Sequence, residues 1–167
     1  SSIVAWTAGR GVIGAIAPRS IDYATGSRRQ APHHARLALT VPAGHRIDQV
    51  TVAGASNGAT LAWVESWYDK KGAYHSRVEA ADVAKKPVIR ALSPDNRLAS
   101  GLTLDNDAAG DEGAAWQSCS TSGACTVQAA GRPAKGAFGS TKTLGAIDSY
   151  QSPSLTLSPT GQVVIGW

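Results

Sequence analysis

The chain has 167 residues, enough for a single domain with a buried core. Hydrophobic residues make up 43% of it, but there is one Phe and no Met, and 18 Gly and 8 Pro interrupt the aliphatic residues. This composition favours short strands and turns over helices. The longest apolar runs fall far short of the roughly 20 residues that a membrane-spanning helix needs, so membrane insertion is not expected.

The net charge of +4 comes from residues 1–63, which hold six Arg and two Asp. Most of this charge lies in segment 28–36, where a contact with an anionic glycan or phosphate is conceivable. No aromatic residues interleave with the arginines to stack on bases, so a solvated loop is favoured and no nucleic-acid partner is predicted. The chain begins at Ser1 without a Met or a leader, which indicates a processed product or a fragment.

Tryptophan marks an internal repeat that runs through the chain. Four tryptophans end short apolar stretches at intervals of 57, 53 and 51 residues: Trp6, Trp63, Trp116 and Trp167. Three further markers keep the same phase: a Thr between aliphatic residues, a Leu, and a pair of small residues after a β-branched one. They stand at Thr51, Thr103 and Thr156; at Leu39, Leu92 and Leu144; and at Ala80–Ala81 and Ala129–Ala130, with 12–17 a looser match.

Each repeat contains four short extended segments separated by turn residues, and none shows a sustained 3.6-residue period. Even the best helical candidate, 76–86, is predicted to be a strand followed by a loop. The approximate repeats are 7–63, 64–116 and 117–167, with 1–6 the end of a preceding repeat, all within a single repeat domain, 1–167. We therefore predict an all-β fold of about three four-stranded antiparallel blades, like those of a β-propeller. A β-sandwich or β-prism is the alternative.

The segment 152–167, SPSLTLSPTGQVVIGW, resembles the TolB-like β-propeller repeat, whose blades open with a Pro-x-aliphatic-Ser-Pro-Asp-Gly turn between their first two strands. Thr160 stands where that motif has Asp. The rest of the chain keeps the spacing and the glycines rather than the motif. The resemblance implies a propeller fold with protein or glycan binding, and no particular reaction.

Three blades do not close a ring, since natural propellers have four to eight. Three blades alone would expose the apolar faces of the two end blades, and exposed apolar faces promote association with other blades. We therefore expect partners in the form of further propeller blades, either from the same parent chain or from copies of this chain, for example two copies giving six blades.

The two cysteines, Cys119 and Cys125, flank a five-residue polar stretch. This spacing predicts a disulfide across the base of a hairpin turn, and a lasting disulfide implies an oxidising compartment. A secreted or extracellular protein is therefore expected, with the periplasm or the cell surface as alternatives. Two unlinked thiols are the alternative. No His lies at ligand spacing from the pair, and no metal site or cofactor is predicted.

The best binding candidate is the long second hairpin, which brings aromatic and basic side chains together near a loop tip. Its residues are Trp67, Tyr68, Lys70, Lys71, Tyr74 and His75. Exposed rings beside charged donors are what sugar faces and protein hot spots use. The alternative is that Trp67 and Tyr74 pair across the hairpin without a ligand.

No catalytic residues are predicted. Glu79 alternates with Val78 and Ala80 and is interpreted as an outward strand residue. The turn 105–112 has several acids but lacks oxygen ligands at the positions that a calcium loop requires, so a polar hairpin turn is favoured. The segment 9–14 is an imperfect dinucleotide fingerprint with no helix after it.

The sequence is compatible with three functions. The chain is expected to be a secreted, non-catalytic binding or assembly module that recognises a protein or glycan. The first alternative is a fragment of a larger, sialidase-like propeller glycoside hydrolase, although the Ser-x-Asp-x-Gly-x-Thr-Trp box of sialidases is missing from all three turn positions. The second alternative is a purely structural part.

Overall fold

A computed structural model describes residues 2–8, 18–27, 30–55, 58–84, 87–134 and 136–167. Within these ranges the fold is all-β, with thirteen strands in four antiparallel sheets and no helix. The prediction of an all-β chain is confirmed. In segment 76–86, the best helical candidate, residues 76–82 lie on β6 (Tyr74–Asp82) and residues 83 and 84 are not helical, whereas 85 and 86 lie outside the described residues.

Each sheet is built from strands that follow one another along the chain and pair with their sequence neighbours. The first sheet has three strands, the second and third have four each, and the fourth has two. The strands are β1 (Ser2–Ala8), β2 (Ser20–Ser27) and β3 (Gln30–Thr40); β4 (His45–Ala55), β5 (Gly58–Tyr68), β6 and β7 (Arg90–Ala91); β8 (Leu98–Asn106), β9 (Glu112–Cys119), β10 (Cys125–Arg132) and β11 (Lys142–Ile147); and β12 (Ser154–Leu157) and β13 (Val163–Gly166).

The sequence markers fall at fixed positions in these sheets. The repeated Thr lies on β4, β8 and β12, which are the first strands of the last three sheets. Tryptophan lies on β1, β5 and β9 and directly after β13, and β5, β9 and β13 are second strands. Thus β1, the first strand of its own sheet, carries the marker that the other sheets have on their second strand. The looser small-residue match at 12–17 and the turn after Trp6 lie outside the described residues.

The hydrophobic core lies between successive sheets rather than inside one of them. Trp63 packs with Ile21 and Leu39 of the first sheet, while Trp116 packs with Val64 and Val78 of the second. Both tryptophans are 0% exposed. Because each second-strand tryptophan faces the preceding sheet, a middle sheet is covered on both faces.

Trp167 also packs against the sheet before its own, but it is less buried than Trp63 and Trp116. A Cβ on Gly145 of the third sheet would lie 3.0 Å from the Trp167 ring, so the glycine gives the indole room. The indole Nε1 donates to the Ala146 carbonyl at 3.0 Å. Half of the Trp167 surface remains exposed. The side chain of Trp6 lies outside the described part of the structure.

Hydrogen bonds also join residues that are one repeat apart. The Gln49 amide donates to the Leu102 carbonyl and accepts from the Leu102 N–H, each at 2.9 Å. The Asp105 carboxylate accepts from the Leu157 N–H at 2.9 Å. Satisfying backbone groups of the next first strand in this way fixes how far one sheet slides on its neighbour.

We expect the buried tryptophans to contribute most to stability. Trp63→Ala and Trp116→Ala should each lower the free energy of unfolding by about 3–5 kcal/mol, since each leaves a cavity between two sheets. Trp167→Ala should cost clearly less because half of its ring is already in water. Urea unfolding followed by far-UV circular dichroism measures all three variants, and an equal loss for Trp167→Ala would contradict this account of the core.

Candidate functional site

The antiparallel topology brings four connections to one end of the sheets. The β5–β6 and β9–β10 turns lie there, and so do the connections from β7 to β8 and from β11 to β12. We call this the hairpin end and define it by residues 69–73, 92–97, 120–124 and 148–153. Because loops on a rigid sheet scaffold commonly carry binding residues, this end is a candidate binding surface.

The β5–β6 tip is held by its own side chains. The Asp69 carboxylate accepts from the backbone N–H groups of Lys71 at 2.8 Å and Ala73 at 2.9 Å. These contacts, the Ala73 N–H foremost, lower the pKa of Asp69. Gly72 takes a φ of +80°, which other residues rarely adopt. The turn therefore has a defined shape that leaves both Lys70 and Lys71 exposed.

Trp67 lies before the tip, within β5, and is sandwiched between two histidines. Its ring stacks on His45 of β4 with centroids 4.7 Å apart and on His75 of β6 at 5.4 Å, both nearly parallel. The Arg77 guanidinium lies 5.1 Å from the ring centroid. The main cause raising the pKa of His75 is its contact with the Asp95 carbonyl, followed by the Asp69 carboxylate. With imidazoles on both faces, Trp67 braces the hairpin base.

The two tyrosines of the hairpin pair with each other. Tyr68 lies opposite Tyr74, with ring centroids 5.2 Å apart, while Trp67 lies opposite His75. The pairing of Trp67 with Tyr74 that was considered as an alternative is thus wrong by one residue. The Tyr74 hydroxyl donates to Asp48 at 3.2 Å and is fixed, whereas Tyr68 is 68% exposed.

A carboxylate pair lies buried under the same hairpin. Glu65 and Glu79 are 1% and 4% exposed, so the interpretation of Glu79 as an outward residue is wrong. The error has a physical cause: the outer face of an isolated sheet is here covered by the first sheet. Glu65 contacts His45 Nδ1, and Glu79 lies 2.7 Å from the Arg77 Nε. Burial, and then the neighbouring Glu65, raise the pKa of Glu79 to about 8.

A third tyrosine at the hairpin end escaped sequence reasoning. Tyr150, in the connection from β11 to β12, is 99% exposed. The Gln117 amide holds its turn by donating to the carbonyls of Asp148 at 2.8 Å and Gln151 at 2.9 Å. The same connection packs closely over Gly101, where a Cβ would come within 2.8 Å of Ser152 Oγ. The available signal was a single aromatic residue in a polar connection.

The disulfide lies at the β9–β10 hairpin, which comes between the β5–β6 turn and the β11–β12 connection along the chain. Cys119 and Cys125 are bonded and directly opposite each other in the β9–β10 ladder, which confirms the predicted disulfide. Arg97 donates to the Ser118 carbonyl at 2.7 Å and to the Ala124 carbonyl at 3.2 Å. The turn is thus tied to the start of β8.

The opposite end of the sheets contains a polar cavity of about 300 Å³, centred on Arg132. The Arg132 guanidinium forms a two-point contact with Glu112 at 2.9 Å and approaches Asp82 at 2.7 Å, and it also donates to Thr60. With two carboxylates as partners, the cation is already neutralised. This cluster joins the second sheet to the third rather than offering a free charge to an anion.

The remaining candidates divide into those the structure describes and those it does not. Turn 107–111 is a polar turn in which Asp107 accepts from the N–H groups of Gly110 and Asp111, as predicted. No group of three metal-ligating side chains occurs among the described residues. Segment 9–14 and, within the basic segment 28–36, residues 28 and 29 lie outside them, as do the side chains of 30–36.

Comparison of the chain with protein-family models, curated proteins and solved structures finds no match. The described part of the chain contains no helix that is long and apolar enough to cross a membrane.

The buried carboxylate pair makes stability depend on pH. The pKa of Glu79 is about 8 in the folded chain against about 4.5 unfolded, so its contribution is fully present below pH 4.5 and is lost as the pH rises through 8. Above pH 8 Glu79 is ionised in a buried site beside Glu65. We expect Glu79→Gln to remove this loss and to be more stable than the unsubstituted chain at pH 9.

Urea unfolding between pH 5 and 9 measures this effect. Asp148→Asn is the matched control, because it removes an acid from an exposed position and should keep the original pH dependence. Parallel curves for Glu79→Gln and the unsubstituted chain would disprove the assignment.

Proposed function

We propose that this chain is a non-catalytic, extracellular binding module built from β-propeller blades, and that it recognises a protein or glycan at the hairpin end. The observation that carries the proposal is a pair of exposed tyrosines: Tyr68 ends β5 directly before the turn held by Asp69, and Tyr150 lies in the turn held by Gln117. Tyrosine offers a large apolar face and a polar tip at a small entropic cost, which makes it effective in recognition.

The rigidity of the two turns strengthens this proposal. Asp69 holds one turn and Gln117 holds the other, so the backbone beside each tyrosine is already in a defined conformation before a ligand binds. Preorganisation of this kind raises affinity by lowering the entropy lost on binding. Lys70 and Lys71 flank Tyr68 and add donors for hydroxyl or carboxylate groups of a ligand. Trp67, Tyr74 and His75 serve as the frame of the hairpin.

The packing of the sheets supports the propeller architecture. Antiparallel sheets of sequence-adjacent strands cover one another face to face, and contacts recur between residues one repeat apart. The turn that joins β12 to β13, within the TolB-like segment, is closed by the Gly161 N–H, which donates to the Ser158 carbonyl at 3.0 Å. Blades of a propeller are related in this manner.

Two observations bear on location and on catalysis. The Cys119–Cys125 disulfide is consistent with an extracellular protein. A glycoside hydrolase needs carboxyl groups that reach its substrate, whereas Glu65 and Glu79 are enclosed. Their burial favours a structural role and supports binding over hydrolysis.

The test uses a glycan array and a phage-displayed peptide library as probes. The double variant Tyr68→Ala with Tyr150→Ala should lose binding of any selected glycan or peptide by at least about tenfold, as expected for hot-spot residues. The measurement is the dissociation constant of each selected probe for the variant and for the unsubstituted chain.

Val88→Ser is the matched control, because Val88 is 69% exposed but follows β6 at the opposite end of the sheets. It should leave binding unchanged. Equal affinity of the double-tyrosine variant and the unsubstituted chain would refute recognition at the hairpin end.

A further inference from the structure

Two tryptophans occupy equivalent places in the second and third sheets. Trp63 on β5 and Trp116 on β9 are both fully buried, and both pack against the sheet before their own. Each lies directly opposite a polar residue of the next strand, which is Glu79 on β6 and Gln128 on β10. Residues directly opposite in an antiparallel pair point to the same face, so each polar side chain lies beside its tryptophan.

The indole N–H has an acceptor at one of these places and not at the other. The Trp116 Nε1 donates to the Gln128 side-chain oxygen at 3.2 Å. The Trp63 Nε1 is buried and has no acceptor among the described residues. A buried donor that lacks an acceptor lowers stability. Because Glu and Gln have the same length and shape, the Glu79 carboxyl group is long enough to reach Trp63 as Gln128 reaches Trp116.

In the structure the Glu79 carboxyl group is turned to other partners. It lies in hydrogen-bond contact with the Glu65 carboxyl group, and its Oε1 is 2.7 Å from the Arg77 Nε. That Nε nevertheless lacks a hydrogen bond of good geometry among the described residues. Two carboxyl groups can share a hydrogen bond only when one of them is protonated, because an ionised carboxylate is solely an acceptor. This arrangement therefore belongs to protonated Glu79, and it leaves two buried donors poorly satisfied.

Charged and titratable groups face this position from both sheets. They are His75 and Arg77 on β6, Glu65 on β5, His45 on β4, Tyr23 on β2 and Arg19 just before β2. Alternation along β2 puts Arg19 and Tyr23 on the face of Ile21, which packs against Trp63. β7 places the uncharged Ala91 opposite Glu79. The side chain of Arg36, which pairs with Tyr23, lies outside the described residues. Arg77 is the cation in contact with Glu79, and it also lies 3.9 Å from Glu65.

We propose that loss of the Glu79 proton to solvent makes this side chain change partner, from Glu65 to the Trp63 indole. In the ionised form one carboxylate oxygen stays with the Arg77 Nε, and the other accepts from the Trp63 Nε1. Both buried donors then have acceptors, and Glu79 turns away from the like charge of Glu65. The new hydrogen bond reduces the cost of burying the charge without abolishing it, so stability still falls above pH 8. This pH-dependent contact lies between the first two sheets and does not depend on recognition at the hairpin end.

Proton–nitrogen NMR of the indole groups tests the change of partner on the unsubstituted chain. Triple-resonance assignment identifies the Trp63 and Trp116 Nε1–H signals without any substitution. Between pH 6 and 9 the Trp63 signal should move downfield, as an N–H that gains an acceptor does, with a midpoint near the Glu79 pKa of about 8. The Trp116 signal is the internal control and should stay constant, because Gln128 does not titrate.

Glu79→Gln supplies a second measurement. Its amide oxygen should accept from Trp63 at every pH, as Gln128 does from Trp116, so the Trp63 signal should stay constant and close to the alkaline position of the unsubstituted chain. A Trp63 signal that does not move with pH in the unsubstituted chain overturns the proposal. A Trp63 signal that still titrates in Glu79→Gln overturns it as well, because another group then causes the change.

Discussion

Coverage of each sheet by the next is the constraint on which this structure depends. Among the described residues, the large buried apolar side chains lie where two sheets meet. Trp63 and Trp116 show the rule, since each is completely enclosed by the sheet before its own. Trp167 shows its limit, because the same residue type in the last sheet is half exposed. The stability of such a stack is approximately a sum of nearest-neighbour interfaces, and the interface that buries Trp167 encloses its tryptophan least.

Burial between sheets also explains the raised pKa of Glu79 under the β5–β6 hairpin. Glu79 and Gln128 occupy the same place in successive repeats, each opposite the tryptophan of its own sheet. Gln128 accepts from the Trp116 indole at 3.2 Å, whereas the Trp63 indole N–H is buried without a partner. One repeat therefore uses a neutral amide where the other uses a carboxyl group with a raised pKa. A residue that titrates therefore occupies a position where, in the next repeat, a residue that does not titrate fits.

The periodic features of the fold were predictable, and the particular contacts were not. The repeated Thr falls on the first strands of the last three sheets and Trp63 and Trp116 on second strands, because the strand pattern repeats in sequence. The disulfide was predictable because Cys119 and Cys125 are close in sequence and stand on either side of one turn. The burial of Glu79 depends on a sheet that is distant in sequence, so alternation along β6 alone gave the wrong side. Tyr150 was missed because its exposure comes from how Gln117 holds the turn, and no local pattern encodes that bond.

The side-chain bonds that run from one repeat to the next have a consequence for the order of the repeats. The Gln49 amide matches both backbone groups of Leu102, and Asp105 takes up the N–H of Leu157, so different residues perform the same linking role at successive junctions. Each junction between sheets is thus held by its own side-chain to backbone hydrogen bonds. A chimaera that duplicated one repeat, or that exchanged two repeats, would juxtapose mismatched linking residues, so the copies in this chain are not interchangeable modules.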